Sequence, residues 1–205
     1  MTLVTRRHMY LFVAVLAIAV FAALGGAATA RAASFTLAKG STQLAVSPLL
    51  AFDMVSGGYD TLALTPAQLL LTPGSFTYKA PVTGGSWNPT TGAGIFRLSG
   101  GMTIFAYNGG GGWNTLALTR WQIKLGASPS VSAIVNGGTR QVLFDLNQAA
   151  ANINNTTSGG YKRVRITGLP AIWTTAGAAA FNGVFGTTLP PTAPEGTFTI
   201  SARSL

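Results

Sequence analysis

The chain has 205 residues, a formal net charge of +9, only 8% charged residues, 26 glycines and no cysteine. Without cysteine there can be no disulfides, thiolate nucleophiles, zinc–thiolate sites or iron–sulfur clusters. A chain that is 48% hydrophobic and so poor in charge is not intrinsically disordered.

Residues 1–32 read as a signal peptide. Arg6 and Arg7 form a positive start, residues 11–28 are an apolar run broken only by Gly25 and Gly26, and Ala30-Arg31-Ala32 is a small-x-small cleavage site. Thr5-Arg6-Arg7 also resembles a twin-arginine export signal. The run is barely long enough for a bilayer, which takes roughly 20 apolar residues, so no permanent membrane span is expected after cleavage. Secretion is therefore expected, with attachment to the cell wall through anionic wall polymers. Ten Lys and Arg remain against four acids once the segment is removed. These cations are scattered singly along strands, which speaks against nucleic acid as a partner.

Residues 33–205 are expected to form a single domain. Their main signal is alternation punctuated by turns. Phe76, Tyr78, Ala80 and Val82 share one face of a strand over 76–82, which Gly84-Gly85 closes. A turn follows at 88–92, then a strand over 95–99, a kink at Gly100-Gly101 and a strand over 102–107. Residues 108–112 are a flexible tip, and 113–125 alternate as a long strand. Strands over 131–135 and 140–146 flank Asn136-Gly137-Gly138, the turn chemistry of a hairpin. A polar loop is expected over 152–160, a strand over 161–166 and a last strand over 197–202. One helix interrupts the pattern. Thr174 or Thr175 caps it, Ala178, Phe181 and Phe185 share a face, and Gly186 stops it. The expected class is all-β: an antiparallel β-sandwich or partly closed barrel of about eight to ten strands with one short helix in the C-terminal half.

The order of segments resembles the haem-transport-associated (HtaA-type) domain of secreted and cell-surface bacterial proteins. The matching stretches are Gly74-Ser75-Phe76-Thr77-Tyr78, the run Gly84-Gly85-Ser86-Trp87-Asn88-Pro89-Thr90-Thr91-Gly92-Ala93-Gly94, and Leu98-Ser99-Gly100-Gly101. Leu116-Ala117-Leu118-Thr119, the hairpin over 133–142 and the stretch 169–185 extend the likeness over about residues 70–202. The resemblance implies haem as ligand. It also implies a Tyr in a Ser-Phe-Arg-x-Tyr-like motif near the domain start and a His in a Gly-His-Gly loop. This chain reads Ser41-Thr42-Gln43-Leu44 at the first place and Tyr107-Asn108-Gly109-Gly110 at the second, and its single histidine is His8.

Tyr107, at or beside the loop position, and Tyr59, after Gly57-Gly58, are the candidate ligand tyrosines, since a tyrosinate can hold haem iron. Trp113 offers an aromatic wall, and Arg97 and Arg120 are the cations that would approach either tyrosine. For Trp121 and Trp173 a core position is the better expectation. Arg163 and Arg165 share a face of their strand, with Lys162 opposite. They are either a basic surface for acidic polymers or the charges that protect an edge strand. No metal site and no catalytic residues are expected. Glycoside hydrolysis needs two facing carboxylates, whereas Asp53 and Asp60 flank a Gly-rich turn. The reading is a non-enzymatic binding protein, with haem or another apolar ligand as partner. The alternative is a structural or adhesive protein of the cell envelope or extracellular matrix, capable of self-association.

Overall fold

The computed structural model describes residues 33–72 and 75–205; the expected signal peptide and the Asp53 side chain lie outside the described residues. In chain order the elements are β1 (Phe35–Leu37), β2 (Lys39–Val46), α1 (Pro48–Ser56), β3 (Tyr59–Leu64), β4 (Gln68–Thr72), β5 (Ser75–Asn88), β6 (Ala93–Leu98), β7 (Gly101–Tyr107) and β8 (Trp113–Leu125). There follow β9 (Ser130–Val135), β10 (Arg140–Leu146), a single 3-10 turn (Gln148–Ala150), β11 (Asn152–Ser158), β12 (Tyr161–Trp173), α2 (Thr175–Phe185) and β13 (Pro194–Arg203). Every strand pairing is antiparallel, and all thirteen strands belong to one sheet. The all-β antiparallel expectation holds.

The sheet closes on itself. The path β5–β2–β13–β12–β10–β9–β8 is completed by β6, which pairs with β8 on one side and β5 on the other. Side chains at alternate positions on these strands fill the enclosed space. The largest are Trp87, Trp121, Tyr78, Phe96, Phe144 and Phe198, all essentially inaccessible. Tyr78 lies on Trp121, Trp121 stacks on Phe144, Phe144 meets Trp173 edge-on at 4.6 Å, and Trp173 contacts Phe181 of α2. Each such side chain contributes about 1.5–3 kcal/mol by leaving water, so this run of rings is a large part of what holds the domain together.

Three local details differ from simple alternation. In β8, Leu116 and Leu118 are buried, but so are Trp121, Ile123 and Leu125, which fall on the opposite phase. Arg120 resolves the conflict. It adopts φ +51 where the register against β9 shifts, and the extra residue turns both halves of the strand inward. Residues 152–158 form β11 rather than a loop, paired with β12 from Asn152↔Thr167 to Ser158↔Tyr161. Every β11 side chain but Ile153 is exposed, so the strand is held mainly by its backbone pairing, and no apolar period marks it. β5 runs on through Gly84-Gly85, where a Cβ at Gly85 would strike the Ile95 carbonyl of β6.

α2 ends where its sequence signals say. Thr174 Oγ1 accepts from the Gly177 amide at 2.9 Å and donates to the Val142 carbonyl at 2.6 Å, and Gly186 closes the helix at φ +68. α1 is an element that the alternation reading lacked. Its signal was present: Ser47 Oγ accepts from the Leu50 amide, and Pro48 takes the first helical position. Thr174→Ala removes both the cap and the tie to β10. It is expected to lower stability by about 1–2 kcal/mol in urea unfolding, with little change in the slope of the transition.

Candidate functional site

α1 and the β4–β5 hairpin enclose the most apolar groove described, of about 540 Å³. Pro48, Ala51, Phe52 and Val55 line it from α1, and Leu71, Thr72, Ser75 and Phe76 from the hairpin. Ala51 and Phe76 are buried and form the floor, while Phe52, Val55 and Leu71 stand 70–76% exposed on the rim. A soluble surface rarely gathers large apolar side chains in this way, and ligand sites are concave and mostly apolar. Among the described residues no Tyr, His, Cys or Met side chain lines the groove. Among the described residues no group of three or more His, Cys, Asp or Glu could hold a metal ion. The groove therefore suits the burial of an apolar ring, and its described residues offer no side-chain ligand for iron.

The structure does not gather the candidate residues read from the sequence. In the β3–β7–β8 ribbon Tyr59 lies opposite Ala106, so it shares that residue's face, and Tyr107 projects from the other. Tyr59 packs on Phe181 and Phe185 of α2 at 5.6 and 5.1 Å. Tyr107 and Trp113 are cross-strand partners, 5.6 Å apart edge to face and about 60% exposed. Arg120 lies toward the other end of β8, and Arg97 is on the neighbouring β6, opposite Gln122. Thr119, beside Arg120, pairs with Gly101, six residues from Tyr107 and roughly 20 Å along the strand. Arg120 borders a separate depression with Leu64 and Ser99. Neither tyrosine lines the apolar groove. Trp121 and Trp173 are core residues, as expected, and so is Trp87, whose indole N–H donates to Asn155 Oδ1 at 2.7 Å. Asp60 Oδ1 accepts from the Thr61 amide at the start of β3.

Arg163 and Arg165 do share the outward face of β12. The edge-strand explanation for their charge fails, because β12 is paired there on both sides, with β11 and with β13.

Among the described residues one carboxyl is buried. Glu195 on β13 is 4% exposed, and its Oε2 has no hydrogen-bond partner. Burial pushes its carboxyl up to about 8; the nearby Trp173 indole offsets part of this rise without reaching good hydrogen-bond geometry. Burial likewise raises the Tyr78 hydroxyl, which is also unpartnered. The folded protein thus binds the Glu195 proton more tightly than the unfolded chain, whose carboxyl titrates near 4.5. The resulting stability is complete below that value and is lost as pH rises toward about 8. Urea midpoints are expected to fall across this window in the native protein. Glu195→Gln, which cannot ionise, should flatten that fall and be the more stable protein at pH 8.

This architecture defines a class: a closed antiparallel β domain with a short helix over one end and an apolar groove beside another. Two solved structures have a similar fold. The C-terminal domain of HtaA from Corynebacterium glutamicum matches with a TM-score of 0.58 and 15% identity, over 82% of this chain and 98% of that one. The heme binding protein HtaB from Corynebacterium glutamicum matches with a TM-score of 0.56 and 12% identity, over 84% and 96%. The likeness supports the HtaA-type resemblance at the level of the fold. No protein-family profile matches the chain, and no curated protein matches it in sequence.

Proposed function

We propose that this is an exported, non-catalytic binding protein that takes an apolar, planar ligand of the haem class in the groove between α1 and the β4–β5 hairpin. The observation that carries the reading is the groove itself, with an apolar floor and three exposed apolar rim residues. The fold shared with a protein described as heme binding supports the choice of ligand class. The ligand is held by burial of its ring between Phe52, Val55 and Leu71 rather than by an axial side chain. Discrimination then rests on shape and apolar area, which favours a ligand carried and released over a tightly fixed cofactor. The envelope-structural alternative draws on the polar, weakly charged outer strands such as β11, but it leaves the groove without a role.

Titration with haemin, followed by its Soret band, tests the site. Phe52→Asp and Leu71→Asp are each expected to weaken binding at least ten-fold, and Tyr59→Phe and Tyr107→Phe to change it less than two-fold. The reverse pattern would return the site to a tyrosine, and a spectrum that stays that of free haemin would overturn the reading. Export is tested separately. Protein recovered from the medium, or released from cells by high salt, is expected to begin near Ala33. An intact 1–30 segment on a salt-resistant membrane fraction would contradict it.

A further inference from the structure

We infer that the outward face of β12–β13–β2–β5 is a second binding surface, independent of the groove, for a linear phosphate-bearing polymer. The strand register places Arg163 opposite Arg203, and Arg203 opposite Lys39. Three cations thus stand in one row across three neighbouring strands. The next outward row along the strands holds Arg165, Ser201 and Ser41, and the one beyond it aligns Thr199, Gln43 and Lys79. Five of the ten Lys and Arg after residue 32 therefore share one face, separated by hydroxyl and amide side chains and by Pro81. The four acids belong to other elements or to the interior: Asp53 is a residue of α1, Asp60 is on β3, Asp145 on β10, and Glu195 is inside. Among the described residues no carboxylate pairs with any of the five cations.

Like charges directly opposite one another in a sheet oppose its stability. A bound polyanion relieves that opposition, and the surface is shaped to receive one. A shallow depression of about 510 Å³ is lined by Lys39, Ser41, Arg163, Ser201 and Arg203. A second, of about 250 Å³, is lined by Ser41, Gln68, Lys79 and Pro81, and the two share Gly40 and Ser41. Together they make a track that runs diagonally over four strands for roughly 20 Å, at about 4.8 Å between strands and 3.3 Å per residue. The Arg203 guanidinium is held over the Tyr161 ring at 4.8 Å, so one end of the track is fixed in place.

The chemistry selects the occupant. Guanidinium groups on adjacent strands approach one anion from different directions. A tetrahedral phosphate has oxygens to meet both, whereas a planar carboxylate is matched by a single guanidinium fork. The intervening serines add hydroxyl donors. A bilayer surface is a poorer fit, because surface binding to lipid combines cations with inserted apolar side chains. Here the residues between the cations are Ser41, Gln43, Thr199 and Ser201 with a single proline, Pro81, and the exposed Phe52, Val55 and Leu71 belong to the groove.

The test measures binding of the full chain to linear polyphosphate, to polygalacturonate and to phosphatidylglycerol vesicles over a range of salt. Polyphosphate is expected to bind tightest. Arg163→Gln/Arg203→Gln should weaken it at least ten-fold and reduce the slope of log affinity against log salt by about two. Lys124→Gln/Arg140→Gln removes the same charge from β8 and β10 and should cost less than two-fold. Equal losses in both double variants would mean that net charge alone is responsible, and would overturn the inference. So would preference for polygalacturonate or the vesicles, or no binding to polyphosphate. Haemin titration of the same variants should be unchanged, so failure here leaves the groove reading untouched.

Discussion

β6 pairs with β8 along Gly94–Arg97 and with β5 along Ala93–Leu98, and those two ladders turn a sheet into a circuit. A closed circuit leaves no free edge among its member strands and fixes the width of the space they surround. That space must be filled by side chains, and it is filled by large rings in contact from Tyr78 to Phe181. The close approach of β5 to β6 at Gly85, where any Cβ would strike the partner's backbone, is part of the same requirement. So is the inserted residue at Arg120, which lets a single long strand face the interior along its whole length.

Once the interior is full, binding surfaces have to be built outside it. The groove does this with an element that interrupts the sheet: α1 lies between β2 and β3, buries Leu50, Ala51 and Met54 against the core, and leaves Phe52 and Val55 exposed beside the β4–β5 hairpin. The basic face does it with the outward positions of strands whose inward positions are core. Arg163 and Arg165 alternate with the buried Val164 and Ile166, and Arg203 follows the buried Ala202. β2 connects the two surfaces, with Lys39 at its start and the turn into α1 after Val46, roughly 26 Å away at 3.3 Å per residue.

Glu195 is the exception to the apolar interior. A carboxyl buried without a hydrogen-bond partner is tolerated because it stays protonated over the acidic to neutral range, and neutral groups cost far less to bury than charged ones. It stands on β13 where Ala171 pairs with Gly196 and Ile172 with Pro194, next to the register shift that leads β12 into Trp173. Its ionisation would weaken the region where the ring stack meets α2.

Elements whose signals are local were legible before any fold was known. Asn136-Gly137 marked the β9–β10 hairpin, Thr174 and Gly186 bounded α2, and alternation marked β5 and the two halves of β8, because turn, cap and pleat chemistry act within a few residues. The segment order was enough to suggest the HtaA-type fold. β11 escaped because its stability comes from pairing with β12, and backbone hydrogen bonds leave no apolar period in the side chains. α1 was legible only through Ser47-Pro48. What a site contains was decided by tertiary structure alone. Tyr59 and Tyr107 are equally plausible ligands in a sequence, yet pairing with β7 sends them to opposite faces. Lys39, Arg163 and Arg203 are scattered singly along the chain, yet antiparallel register across three strands sets them side by side. Register is a relation between distant segments, and no window of one segment contains it.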